Sequence, residues 1–386
     1  EIQSPDGTTW RVPCFWMQPF AYRSLRQGAR SVDWLYPDGD AGWYARFTLE
    51  KPGRHRLQAR LVDADGERIS RPVEILCTPS ASPGFLRIDS RRPTCFAFDD
   101  GTPFFAIGQN LAFVGQSQYV TLGNLDSILA KLHENGANFL RIWTGCEDWA
   151  LCIEGRKNAW TRTWERKEPY VDLPAEVDDP PLGDRAFSPR RVVELNAAGR
   201  KLDPPHGIAI VPNKRYTCSL LVWLEAAGSI RMTVGNSEYR LTEKDLPTRR
   251  WVRRDWVIEI GDDQWWWRSP TLFAESEGRV FLADISLRET DSATELLHGV
   301  RPVPRRGYYH QRDCALLDRL IASAQRHDQY LQLCLLTRDL YMPDLADPGS
   351  DTYRRAVDDA EAFMRYAVAR WGAYRHVAVW EYFNEM

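Results

Sequence analysis

His376-Val377-Ala378-Val379-Trp380-Glu381-Tyr382-Phe383-Asn384-Glu385 is the stretch that decides how this chain folds. Val377 to Phe383 is a short apolar run of strand length, rich in β-branched and aromatic residues. It stops abruptly on an amide and a carboxylate. Side chains at the C-terminal tip of a parallel strand stand where an α/β barrel keeps its chemistry. One residue later, at Met386, the sequence ends.

Working outward, the same strand-and-helix rhythm recurs. Tyr330–Leu336 reads as a buried strand and precedes a helix over about 352–370, with Ala356, Ala360, Phe363 and Ala367 on one face and a stop at Trp371-Gly372. A helix over 312–325 carries apolar residues at 314, 317, 321 and 324. Further upstream, Cys95 to Phe98, the turn Asp99-Asp100-Gly101 and Pro103 to Gly108 read as a hairpin feeding a first buried strand. Leu125, Ile128, Leu129 and Leu132 mark a helix that stops at Asn135-Gly136, and Asn138–Trp143 follows as a second strand. Strand, helix and strand with short links make the βαβ unit of a parallel sheet.

Roughly 170 residues separate that second strand from the next helix, where a connection of about 2–6 is usual. Most of the stretch is strand-like: Arg191–Leu195, 216–225, 229–234, 251–260 and 279–287. Residues 1–80 are also all-β in pattern, with turn signals at Pro37-Asp38-Gly39, Pro52-Gly53 and Asp65-Gly66.

Two phrases carry a family resemblance: Phe104-Phe105-Ala106-Ile107-Gly108-Gln109-Asn110, and Glu134-Asn135-Gly136-Ala137-Asn138-Phe139-Leu140-Arg141-Ile142-Trp143. With Trp380-Glu381 and Asn384-Glu385 they resemble the cellulase-like (β/α)8 retaining glycoside hydrolase superfamily of the clan A type. The run from Gly42 through Leu57 resembles the immunoglobulin-like sandwich that precedes such barrels in many bacterial hydrolases. The 170–290 stretch, closing on Asp284-Ile285-Ser286-Leu287, resembles carbohydrate-binding modules of the galactose-binding type.

The resemblance implies a multidomain β plus α/β chain. Its parts are an N-terminal Ig-like β-sandwich (1–80), the first half of a TIM barrel in two pieces (85–155 and 305–386), and a jelly roll (170–290) inserted between barrel strand 2 and helix 2. It implies a chain truncated after barrel strand 4. Retaining hydrolysis of a poly- or oligosaccharide needs two carboxylates about 5 Å apart. Glu385 would be the acid/base, and the nucleophile would lie beyond the C-terminus, so the isolated fragment is expected to be inactive. The other reading is a non-catalytic carbohydrate-binding protein.

Several residues are candidates to meet the substrate. Asn384 would donate to a sugar hydroxyl, or merely close the strand. Alternate residues of a barrel strand share a face, so Arg141 and Glu381 are expected to point inward together, either serving the site or holding the sheet. Trp143, at the tip of strand 2, is a sugar platform or packs beneath the insertion. Gln109 and Asn110, just past strand 1, lie at the same end. His310, Arg338 and Asp339 are on that side without a specific signal. Glu385 has its own bland alternative, capping a following helix. The triplet Trp265-Trp266-Trp267 is a stacking platform or sandwich core.

Composition narrows the classes. Charged residues make up 27% and the net charge is −3, so nothing marks a nucleic-acid partner. Sixteen Trp favour sugar rings, whose C–H faces stack on indoles. No run approaches the ~20 apolar residues of a membrane helix. The chain opens at Glu1 without a signal-peptide core, and a secreted or periplasmic setting is what the resemblance implies. Seven scattered His give no catalytic-metal spacing, and no cofactor is expected, a structural Ca²⁺ in the insertion being left open. The eight Cys read as buried free thiols, with disulfides as the alternative.

Overall fold

A computed structural model describes residues 1–27, 30–115, 118–146, 150–154, 170–182, 190–195, 201–202, 208–234, 237–261, 266–267, 271–292, 295–297 and 306–384. Its α/β part runs β1 (Gly108–Asn110), α1 (Leu125–Glu134), β2 (Phe139–Trp143), α2 (Gln311–Arg326), β3 (Tyr330–Leu336), α3 (Asp351–Trp371) and β4 (Val377–Phe383). The four strands pair in sequence order and are parallel throughout. Among the described residues the edge strands β1 and β4 each have one partner, so the sheet stands open.

The helices form where the apolar spacing requires them. Leu125 and Leu129 of α1, Cys314, Leu317, Ile321 and Ala324 of α2, and Ala356, Phe363 and Ala367 of α3 are all buried in one core with β2 and β3. Each large apolar side chain so buried is worth about 1.5–3 kcal/mol. α3 begins at Ser350, whose hydroxyl accepts from the Tyr353 amide, and ends at Gly372. α1 stops where Gly136 takes a positive φ of 84°.

The expected hairpin forms, but the parallel strand that it feeds starts late. Pro103–Phe104 pairs antiparallel with Arg92–Phe98, which pairs with Leu86–Asp89, and the parallel strand starts only at Gly108. An aromatic cluster explains the shift. Phe104 lies 5.0 Å from Tyr330 and 6.5 Å from Phe139, and Phe98 lies 5.4 Å from Tyr330. Tyr330 and Phe139 open β3 and β2, so this small antiparallel sheet covers the N-terminal end of the parallel one. At the C-terminal end follow residues 111–115, 144–146 and 150–154, whose Val114, Leu151 and Ile153 are buried in the same core. With the late start of β1, Gln109 and Asn110 lie within it, not past it.

The rest is mostly β-sheet. Between 170 and 289, a five-stranded and a four-stranded antiparallel sheet enclose a shared core. The five-stranded sheet is buried on its other face too, where Trp223 and Phe281 pack at 5.4 Å with Leu173, Val177 and Leu221. Strand Val280–Glu289 accordingly reads as a near-continuous buried run.

Residues 1–80 are all-β as expected, but their pairing gives four small sheets rather than two facing ones. Their large buried side chains serve other cores. Phe15 joins the α/β core, and Trp34 and Tyr36 join the core between 170 and 289. The hairpin Phe20–Gln27/Arg30–Pro37 lies between the two, its Tyr22 ring 4.0 Å from the Arg319 guanidinium of α2. Of the eight Cys expected to be buried thiols, Cys146, Cys152, Cys218, Cys314 and Cys334 are buried, whereas Cys14 and Cys95 are exposed and Cys77 half-buried. Among the described residues no helix is long and apolar enough to cross a membrane.

Candidate functional site

Leu140 and Ile142 of β2 and Leu331, Leu333 and Leu335 of β3 are buried against the helices. Strand alternation turns Arg141 and Gln332 to the opposite face, adjacent in register. Glu381 reaches them from β4, and these three elements assemble the site.

Glu381 accepts both Nε and Nη2 of Arg141, at 2.7 and 2.5 Å, and Gln332 Nε2 at 2.8 Å. The Arg141 hydrogen bonds hold its carboxyl below the usual range, against partial burial and with help from Gln332. Glu381 is therefore a fixed anion and counter-ion, unsuited to deliver a proton. Arg141 Nη2 also donates to Asn384 Oδ1 at 2.8 Å. Because a guanidinium only donates, it fixes the amide orientation and turns the Asn384 NH₂ away from itself. Asn384 thus carries two oriented donors at the C-terminal end of the sheet.

Trp143 is half-buried. The Arg141 guanidinium lies over its ring at 5.3 Å, and Phe113 meets it edge-on at 5.1 Å. Its Nε1 is buried with no hydrogen-bond partner among the described residues. Arg141, Trp143, Asn384 and Glu381 are thus brought together. Gln109 and Asn110 lie on β1, exposed, with Asn110 beside Arg141 in register, and no hydrogen bond among the described residues joins either to the cluster. His310 is buried at the start of α2, 3.2 Å from Asp313. Arg338 and Asp339 are exposed in the short helix after β3. Glu385 and Trp265 lie outside the described residues, as do the side chains of Trp266 and Trp267.

Sequence reading missed two groups. Gln332 was signalled by an amide standing alone inside the apolar run of β3. Glu154 follows the apolar Leu151-Cys152-Ile153, the same signature that singled out Glu385. It is 2% exposed and accepts Tyr341 Oη at 2.5 Å and Gly307 N at 2.7 Å. Burial pushes its carboxyl up to about 7, despite those hydrogen bonds. Among the described residues no group of three or more His, Cys, Asp or Glu could hold a metal.

No family model matches the chain. No curated protein matches either. Among solved structures it is similar to a protein from Bacteroides vulgatus described only as a candidate glycoside hydrolase, at 12% identity over 98% of this chain, with a TM-score of 0.35. The chain spans about half of that protein's length, 47%. It is also similar to the C-terminal CBM6 of LamC from Zobellia galactanivorans, at 13% identity over 34% of this chain and 94% of that one, TM-score 0.21. A CBM6 from the Cellvibrio mixtus lichenase 5A, solved with cellotriose, matches at 10% identity over 36% and 95%, TM-score 0.23.

Proposed function

We propose that the C-terminal end of the parallel sheet is the active site of a retaining glycoside hydrolase acting on a poly- or oligosaccharide. The observation that carries the reading is Arg141. Clamped by Glu381, it fixes Asn384 with its amide donors facing outward at the C-terminal end of β4. An oriented neutral donor suits a sugar hydroxyl, and such a contact tightens as charge develops at the neighbouring anomeric carbon. Glu385, next in sequence, is the acid/base in this reading. Glu381, locked as an anion, neutralises Arg141 and leaves the proton transfers to Glu385. The nucleophilic carboxylate is not assigned within these residues.

In the same reading the parallel strands are the first half of a (β/α)8 barrel formed by 85–155 and 305–386. The 170–290 jelly roll enters after β2, at the active end, and forms one wall of a substrate cleft, while 1–80 acts as the N-terminal module. The setting is secreted or periplasmic.

A second reading, a non-catalytic carbohydrate-binding protein, is favoured by the large antiparallel sandwich. Glu385→Gln separates the two. In a protein that also carries the nucleophilic carboxylate, the enzyme reading expects hydrolysis of chromogenic aryl glycosides to fall by roughly 10²–10⁴-fold, with oligosaccharide affinity retained by calorimetry. Unmeasurable turnover of that protein before the substitution, together with affinity that the variant keeps, would favour the binding protein.

A further inference from the structure

A cavity of about 220 Å³ lies where the Phe20–Pro37 hairpin meets the sandwich, far in sequence from the Asn384 cluster. Cross-strand register puts Arg23 on the hairpin face that carries Trp34 and Tyr36 into the sandwich core. Arg23, Asp38, Asp40, Lys214, Glu289 and Leu296 are among the residues that line it.

One wall is held by a directed hydrogen-bond chain. The Val211 amide donates to Tyr216 Oη at 2.9 Å, Tyr216 Oη lies 2.9 Å from Tyr36 Oη, and Tyr36 Oη donates to Glu289 Oε1 at 2.6 Å. An amide can only donate and an ionised carboxylate can only accept, so both ends fix the direction and Tyr216 must donate to Tyr36. Lys214 Nζ takes the other Glu289 oxygen at 2.7 Å. Burial works to raise the Glu289 carboxyl, but Lys214 and Tyr36 together bring it below its usual range. Glu289 is thus a rigid anion whose two oxygens each keep accepting capacity.

In the same lining, Arg23, whose charge also helps to lower the Glu289 carboxyl, Asp38 and Asp40 have no side-chain hydrogen bond or ion pair among the described residues. The cavity therefore offers unspent donors from Arg23 beside unspent acceptors on Asp38, Asp40 and Glu289. We infer that this cavity binds a single neutral sugar unit. A hydroxyl donates and accepts at once, so vicinal hydroxyls match a wall of alternating anions and cations. Three carboxylates against two cations do not favour an anion. The volume is below the ~300 Å³ at which drug-sized pockets begin, which fits one ring at a chain end or branch rather than a polymer run. The inference does not depend on catalysis at Asn384-Glu385.

The test is saturation-transfer NMR with titration on the full chain, using glucose, galactose, mannose, xylose and putrescine as probes. Wild type, Arg23→Ala, Asp40→Asn and Asn384→Ala are compared, with thermal unfolding as a fold control. At least one sugar is expected to bind, with affinity weakened roughly tenfold or more in Arg23→Ala and less in Asp40→Asn, and the part of the binding that Arg23→Ala removes is expected to persist in Asn384→Ala. Sugar binding lost only in Asn384→Ala would overturn the cavity while leaving the proposed active site standing. Binding of putrescine but no sugar, or of nothing at all, would overturn it as well, as would a sugar affinity indifferent to Arg23→Ala in a folded variant.

Discussion

Arg141 and Arg370 are both clamped by a carboxylate, yet the two clusters differ in what they leave over. Around Arg370, Asp318 Oδ1 accepts Arg46 Nη1 at 2.8 Å, Trp371 Nε1 at 2.8 Å and Arg370 Nε at 3.3 Å. Its Oδ2 accepts Arg370 Nη2 at 2.6 Å and Arg46 Nη2 at 3.2 Å. Arg370 Nη1 donates to both Tyr366 and Gln311. The Arg370 side chain is fully buried, out of reach of a ligand, and the cluster joins the N-terminal segment to α2 and α3. Around Arg141 the carboxylate is satisfied too, but the Asn384 amide donors and Trp143 Nε1 have no partner among the described residues. Surplus, oriented hydrogen-bonding capacity separates a site from a weld better than the mere presence of an ion pair does.

The largest effect should come from the weld. Asp318→Ala leaves the fully buried Arg370 guanidinium without its counter-ion, a change that costs about 3–5 kcal/mol. Urea unfolding would show it, and a loss under about 1 kcal/mol would break the distinction drawn between the clusters. The pH dependence adds a sign. Burial opposes ionisation of Asp318, but Arg370 and Arg46 prevail and lower its pKa. Its contribution is present above the ordinary carboxylate range and is lost as pH falls through the depressed value.

Glu154 pulls the other way. Its folded pKa of about 7 exceeds the ordinary 4.5, so the native state holds the proton more tightly. Stability from this group is full below the ordinary value and drains away as pH rises through 7, by on the order of 3 kcal/mol. Glu154→Gln should flatten that slope in denaturant titrations between mildly acidic and neutral pH. An unchanged slope would assign the pH dependence elsewhere.

At the site itself the order of effects reverses. Arg141→Ala is expected to weaken substrate binding or turnover by roughly 10–100-fold through loss of Asn384 orientation, while costing about 1–3 kcal/mol of stability at this position, where the side chain is 20% exposed. Arg141→Lys keeps the charge but not the fork that spans Glu381 and Asn384, so it should rescue little. Glu381→Gln should cost stability more than turnover. Full rescue by lysine would mean that charge alone, not amide orientation, is what the cluster supplies.

Much of this was legible in the sequence, for local reasons. β3 and β4 fall where the apolar runs begin and end, and the helix faces follow from 3.6-residue spacing between Gly and Asn stops. Strand parity foretold that Arg141 and Glu381 would meet. The position of β1 was not legible, because an aromatic cluster with Tyr330 and Phe139 draws Pro103–Phe104 into another sheet. Nor was the destination of Trp34, Tyr36 and Phe15, which bury in cores distant in sequence. The orientation of Asn384 depends on which atom Arg141 touches, and residue order carries no such information.

The smallest effect sharpens the comparison from outside. Glu361 and Arg365 pair at 2.5 Å across one turn of α3, with the acid N-terminal to the base, the favourable order. Their side chains are 58% and 76% exposed, so water screens the pair and both long side chains lose freedom in forming it. Arg365→Ala should therefore cost only about 0.3–0.5 kcal/mol, and most of that should vanish in molar salt, where the Debye length shrinks to about 3 Å. The same salt should barely touch the Asp318 deficit, since that pair is shielded from mobile ions. Equal salt sensitivity at both places would mean that the Asp318 cluster is wetter than its packing indicates, and the contrast between weld and surface pair would fail.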